Sequence, residues 1–264
     1  MQDRQQYNIL YSCTGEPKHG HEPFVAQHAL TFVVSGELHF HTPYGIKSAT
    51  KGCLGFVRKN QLVKPVKLPE VDKPFMSISI LFDNAALQAY SMESNIRATG
   101  VYTGESILEL PVDPFMKGYL DSLVPYFEYP EQMTGILARA KTTEAIELLL
   151  RDAGMKNILF DFSEPFKIDL EAYMNKYFIY NVPISQFARL TGRSLSAFKR
   201  DFAKIFNTSP EKWLQKRRLE QAHYLITQKG TRPSEVYLEV GFENLSHFSY
   251  AFKKQFGVAP SGVV

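Results

Sequence analysis

The sequence predicts an α+β chain: a small β-rich unit with its own helices at the N-terminal end, then an all-helical unit. Three observations carry that expectation. Short apolar runs separated by Gly- and Pro-containing turns fill the first eighty or so residues, the hydrophobic period then turns helical, and positive charge collects in the last hundred residues. The chain has 264 residues, comfortable for two domains, and 44% hydrophobic with 22% charged residues excludes wholesale disorder. No apolar run approaches the ~20 residues of a membrane helix. The opening MQDRQQYNIL lacks the basic start and apolar core of a secretion signal. Two cysteines, Cys13 and Cys53, support no disulfide scaffold, so inert thiols in a reduced cytoplasm are expected.

Taken in order, residues 29–34, 38–40, 54–57 and 76–80 read as strands, with Ser35-Gly36-Glu37 as a hairpin turn. Short, regular strands of this kind suggest a small barrel or a sandwich. Residues 84–92, 114–126 and 131–153 read as helices. The last carries Ile136, Leu137, Ala140, Ile146 and Leu150 on roughly one side, with Gly154 as its stop. The polar, proline-containing stretch 161–165 marks a domain boundary, and from Ile168 onward the chain reads as short helices.

The net charge of +3 hides an asymmetry. Residues 165–264 carry 15 Lys+Arg against 8 Asp+Glu, while residues 1–164 carry 15 against 19. A basic half beside a mildly acidic one suggests that one part meets a polyanion.

An internal repeat gives that half its meaning. At an offset of fifty residues, Leu195, Ser196 and Phe198 lie over Leu245, Ser246 and Phe248, and Phe202, Lys204, Phe206 and Pro210 lie over Phe252, Lys254, Phe256 and Pro260. The phenylalanines recur at i, i+4, i+8, so each copy is an amphipathic helix with an aromatic core stripe. Residues 182–190 form a shorter helix before the first copy, ending at Thr191-Gly192-Arg193, with Ser194 placed to cap the second helix. In the second copy residues 233–240 form the short helix, Gly241-Phe242-Glu243 the turn and Asn244 the cap. Short helix, Gly-containing turn and second helix is the helix-turn-helix pattern, present twice. Between the copies, Ser209-Pro210-Glu211 opens a connector helix, with Trp213, Leu214, Ala222, Leu225 and Ile226 available to pack on both. A rod of roughly 25 Å can set two recognition helices in successive major grooves, about 34 Å apart.

Arg218-Leu219 with Ala222, then Val236, Val240-Gly241-Phe242 and Ser246-His247-Phe248-Ser249, and the run from Ala251 to Pro260, resemble the signature of the AraC/XylS-type transcription regulators. The resemblance covers about 100 residues, from Ile168 onward. It implies a DNA-binding domain over 165–264 and a sensor and dimerisation domain over 1–160, with a cupin-like barrel in 1–85 and helices in 86–160. Residues 1–160 also resemble the sensor of the type III secretion activator subgroup, whose input is a partner protein rather than a sugar. By the family pattern, base readers lie on the N-terminal halves of the second helices: Ser196, Lys199 and Arg200, then Leu245, Ser246, Ser249 and Tyr250. Arg200 is the best candidate for a bidentate guanine contact. Family members often carry arginine where Tyr250 stands, so the second copy is expected to read less, or to read thymine methyls. Arg193, Lys204, Lys253, Lys254 and the helix starts at Ser194 and Asn244 are expected on phosphates.

Five of the seven histidines fall within residues 1–41: His19, His21, His28, His39 and His41. Two His-x-His pairs put rings on one strand face, and Glu22 and Glu37 could add oxygen ligands, which suggests a metal-dependent cupin enzyme with an appended DNA-binding domain. Neither pair has the glycine-bracketed pattern with a following glutamate that metal cupins show, so no metal, cofactor or catalytic residue is expected. No Gly-x-Ser-x-Gly, phosphate-cradling loop or Cys-x-x-Cys occurs.

The function expected is a sequence-specific, DNA-binding transcription activator in the cytoplasm. Its partners would be double-stranded promoter DNA, RNA polymerase, a small-molecule or protein signal at the N-terminal domain, and a second copy held through residues 114–154. No membrane is expected. The alternatives are the metal-dependent enzyme and a regulator sequestered by a protein partner.

Overall fold

The computed structural model describes residues 3–20, 23–42, 45–163 and 167–263, and its packing divides the chain into two units, Met1–Ser163 and Glu164–Val264. Unit one carries β1 (Arg4–Gln6), β2 (Ile9–Thr14), β3 (Lys18–His19), β4 (Phe24–Val25), β5 (His28–Ser35), β6 (Glu37–Thr42), β7 (Gly45–Thr50), β8 (Leu54–Val57), β9 (Gln61–Leu62), β10 (Lys64–Leu68), β11 (Phe75–Phe82) and β12 (Ile107–Leu110). Among the described residues one sheet runs β1-β2-β11-β5-β8-β12, a second runs β3-β10-β6-β7, and β4 pairs with β9. Helices α1 (Asn84–Ser94), α2 (Pro114–Asp121), α3 (Gly135–Leu149) and α4 (Lys156–Leu159) complete the unit.

The layers follow from the central strands. On β5, Ala29 and Val33 join Leu38 and Phe40 of β6 in a core between the two sheets. On the other face, Leu30, with Ile78, Ile80 and Phe82 of β11, packs against Met116, Leu120, Ala145 and Leu149 of the helices. A strand buried on both faces loses the polar alternation of an edge strand, which is why residues 29–34 are apolar but for Thr31, whose hydroxyl meets that of Ser79 at 2.9 Å.

Three expectations differ from the structure. Ser35-Gly36-Glu37 is not a hairpin: β5 and β6 belong to different sheets, and the chain turns a corner between them. Gly36 sits there at φ +80, and a Cβ would meet the Leu68 carbonyl oxygen at 2.4 Å, so only glycine fits. The helix expected over 114–126 stops at Asp121, and Val124–Phe127 forms a 3-10 turn, since Pro125 can donate no helical hydrogen bond. The helix expected over 131–153 spans Gly135–Leu149, capped by Thr134, and Gly154 lies beyond its end. Its buried stripe is Ala138, Thr142, Ala145, Ile146 and Leu149, while Ile136 is 72% exposed and Leu137 and Ala140 also face outward. The larger apolar side chains near its start are therefore on the solvent side.

Unit two is helical: α5 (Leu170–Tyr177), α6 (Ile184–Leu190), α7 (Leu195–Phe206), α8 (Pro210–Lys229), α9 (Pro233–Glu239) and α10 (Leu245–Phe256). The repeat is visible in its caps. Ser194 and Asn244 cap α7 and α10, and both helices end in a left-handed residue, Asn207 and Gly257. Phe198, Phe202, Phe248 and Phe252 are fully buried. Helix α8, about 30 Å long by its twenty residues, serves both copies. Trp213 packs edge-on to Phe202 and over Phe206, while ten residues later His223 stacks on Phe252 and Phe256. Among the described residues no helix is long and apolar enough to cross a membrane.

Candidate nucleic-acid interface

Helices α7 and α10 present the exposed sides that the repeat implied. Ser196, Lys199, Arg200 and Lys204 on α7, and Leu245, Ser246, Tyr250, Lys253 and Lys254 on α10, are exposed, while Ser249 is half-buried. Ser194 Oγ accepts from the Ala197 amide at 3.3 Å, and Asn244 Oδ1 accepts from the Ser246 and His247 amides at 2.8 and 3.1 Å. These caps fix the first turns of α7 and α10.

Arg200 is 67% exposed and touches only Asp201 among the described carboxylates, at 3.6 Å. Lys199 leans toward Glu211 at the start of α8, at 3.5 Å. Tyr250 is 69% exposed. Leu195 was not singled out in the sequence, yet it is 42% exposed, matching Leu245 at 40%. The offset of fifty that paired their neighbours was the signal for it.

Arg193 corrects the expectation of a phosphate contact. Its side chain is only 7% exposed. Nη1 donates to the carbonyls of Ile168 and Thr191 at 2.9 and 2.7 Å, and Nε to Asp201 at 3.2 Å. That bond from Arg193, with Lys167 and Arg200 nearby, holds the Asp201 carboxyl below the usual range. Arg193 is thus a strut that ties the entry of the first copy to α7.

The residues between the two copies carry the geometry that sequence reasoning missed. Arg218, midway along α8 between Trp213 and His223, donates Nε to the Phe178 carbonyl at 2.8 Å and Nη2 to the Tyr180 carbonyl at 2.9 Å. Its Nη1 donates to the Gly241 carbonyl at 3.1 Å and lies 3.4 Å from Asn181 Oδ1. Burial pushes this guanidinium down to about 10, against the opposing pull of Glu243. Asn181 Nδ2 in turn donates to Glu243 Oε1 at 2.6 Å. A groove of about 850 Å³ opens beside this cluster, lined by Pro183, Leu214, Gln215, Phe242 and His247 among others.

Of the described N-terminal histidines, His19, His39 and His41 lie on strands neighbouring β10. His19 and His39 flank Val66 on adjacent strands, and His39 Nε2 lies 2.8 Å from Glu37 Oε2. His41 is held below the usual histidine range, chiefly by burial, then by His39 and His19. Among the described residues no group of three or more His, Cys, Asp or Glu is arranged to hold a metal ion. His21 and Glu22, named with them in the sequence, lie outside the described residues, as does Pro165. His28 stands apart: it is 2% exposed, stacked on Phe56, and its Nδ1 accepts from the Lys59 amide at 3.2 Å.

A model of the ExsA N-terminal regulatory domain matches residues 28–159, half of the chain, and a helix-turn-helix domain model matches residues 187–263. The chain belongs to the AraC/XylS-type regulator family. As an AraC/XylS-type chain it carries the N-terminal domain of the ExsA branch. The HTH-type transcriptional regulator ExsA of Pseudomonas aeruginosa is 30% identical over 92 residues, 35% of this chain and 33% of that protein. The thermoregulatory protein LcrF of Yersinia pestis is 30% identical over 92 residues, covering 35% and 34%. The virulence regulon transcriptional activator VirF of Yersinia enterocolitica is also 30% identical over 92 residues. These alignments span about a third of the length of the relatives, 33% and 34%. An apo ToxT variant of Vibrio cholerae overlays 99% of this chain and 98% of its own at 11% identity, with a TM-score of 0.49.

Proposed function

We propose that this AraC/XylS-type chain is a sequence-specific DNA-binding transcription activator. One observation carries the reading: two helix-turn-helix copies share one connector helix, in the basic unit, and each offers a capped second helix with an exposed polar face. Two such helices read adjacent major-groove segments, so one polypeptide supplies the pair of readers that other proteins obtain by dimerising. Arg200, Lys199, Ser196 and Leu195 would meet bases in one segment, and Leu245, Ser246, Ser249 and Tyr250 in the other. Lys204, Lys253 and Lys254 would lie on phosphates, where released counterions supply much of the affinity.

Unit one would receive the signal, a small molecule or a protein, and pass it on through the boundary near Pro165. The outward Ile136 and Leu137 of α3 support a homodimer formed through residues 114–154. The names of the relatives, among them a virulence regulon transcriptional activator, favour activation; bacterial RNA polymerase would be the partner and the cytoplasm the compartment.

In-vitro transcription tests the proposal. The full chain, added to bacterial RNA polymerase on a promoter carrying its selected duplex site, raises transcript. Lowered transcript would make it a repressor, and no change would contradict both roles. Fragment 160–264 is expected to bind that duplex without signal, and signal-dependent binding by the fragment would refute control through unit one.

A further inference from the structure

We propose that Arg218, with Gly241 and the Asn181–Glu243 pair, is a positioning clasp that fixes the spacing and rotation of the two recognition helices, and hence the separation of the two DNA segments the chain accepts. The proposal rests on the DNA-reading function proposed above and names what sets its geometry.

A shared helix fixes how far apart two subdomains lie, but not how each rolls about its axis. The ring contacts of Trp213 are to one copy and those of His223 to the other, ten residues apart on α8. Arg218 bonds to both. Its planar fork donates to Phe178 and Tyr180, in the segment leading into α6, and to Gly241, in the turn between α9 and α10. Five donors spread over a rigid plane suit such divergent carbonyls, whereas a lysine would offer three donors from a single nitrogen.

Gly241 shows how closely the two segments approach. It adopts φ +92, and a Cβ there would lie 2.5 Å from the Ile179 carbonyl oxygen and 3.2 Å from the Arg218 guanidinium. The turn of the second copy is therefore seated on the backbone of the first with no room for a side chain. Asn181 and Glu243 close the same seam at its exposed edge, at 2.6 Å. Segment 178–181 and turn 241–243 are thus joined by a fork, a backbone approach and a side-chain pair, all directly before the elements that aim α7 and α10.

Adding one base pair between the two DNA segments turns one relative to the other by about 36° and shifts it by about 3.4 Å. A clasped pair of helices rejects that change, whereas a pair free to roll accommodates it. The test uses the full chain and the bipartite duplex recovered from random DNA, with versions lengthened or shortened by one base pair between the two parts. Wild type is expected to lose roughly tenfold in affinity on either altered duplex. Arg218→Met and the milder Asn181→Ala are expected to bind the three duplexes within about threefold of one another, while keeping their affinity for a duplex with one part only. Asn181→Ala, at the exposed edge of the seam, keeps the test available if Arg218→Met fails to fold, as circular dichroism would reveal. Variants that keep the wild-type spacing discrimination overturn the clasp and leave the DNA-reading function standing. Wild type that selects no sequence at all overturns that function and the clasp with it.

Discussion

The Arg218 guanidinium donates to the Gly241 carbonyl at 3.1 Å, although 23 residues separate them and they belong to different elements of the helical unit. Gly241 occupies φ +92, and a Cβ there would lie 2.5 Å from the Ile179 carbonyl oxygen. Gly241→Ala is therefore expected to destabilise the helical unit by about 2 kcal/mol or more, from left-handed strain and a clash that backbone must relieve. Urea denaturation of the full chain checks this, and an unchanged midpoint would contradict it.

Arg200→Ala removes an exposed guanidinium with little internal use. The expected loss is ~1–3 kcal/mol on the selected duplex, with preference relaxed at one base pair. Equal loss on every duplex would assign Arg200 to phosphate instead.

Lys254 and Arg193 separate two roles that sequence alone had merged. Lys254→Ala is expected to weaken binding nearly uniformly and reduce the salt slope by about one. Arg193→Ala removes the side-chain donor to the Ile168 carbonyl and to the buried Thr191 carbonyl, which keeps only the 3.4 Å bond from the Ile168 amide, so it is expected to cost ~1–3 kcal/mol of folding stability and leave the salt slope as it was. Titrating both variants against salt, beside their denaturation curves, decides each assignment.

His28 predicts a pH dependence in the β-rich unit. Burial, with Lys59 and Arg58 nearby, pushes its pKa down from 6.5 to about 3. Protonating Nδ1 would also set a donor against the Lys59 amide. The unfolded chain then binds a proton that the folded chain does not, so stability is full above pH 6.5 and falls as pH drops toward 3. The slope reaches ~1.4 kcal/mol per pH unit from this group. His28→Leu should flatten that part of the denaturation profile, and a profile identical to wild type would assign the acid sensitivity elsewhere.

The repeat was legible because its signal is periodic and local. Phenylalanines at i, i+4, i+8, with Ser194 and Asn244 as caps, need no partner segment to be recognised. What escaped depended on distant contacts. Ser35-Gly36-Glu37 reads equally as a hairpin or a corner, and the corner shows only in the pairing of β6 with β10 and β7 instead of β5. Near the start of α3, Ile136 and Leu137 are larger than Ala138 but point outward, because Thr142, Ala145 and Leu149 carry the buried face. Arg193 and Arg200 are both basic residues of one repeat copy, and only the folded positions of Ile168 and Thr191 make the first internal. Arg218 belonged to the family signature in sequence, yet its bridging role needed Phe178, Tyr180 and Gly241 brought together.

Selection of bound duplexes from random DNA, with the full chain at two salt concentrations, tests the DNA-reading function most directly. The expected result is an enriched bipartite site whose two parts lie about ten base pairs apart, retained at the higher salt. Salt-sensitive binding to every duplex, with no sequence enriched, would contradict it.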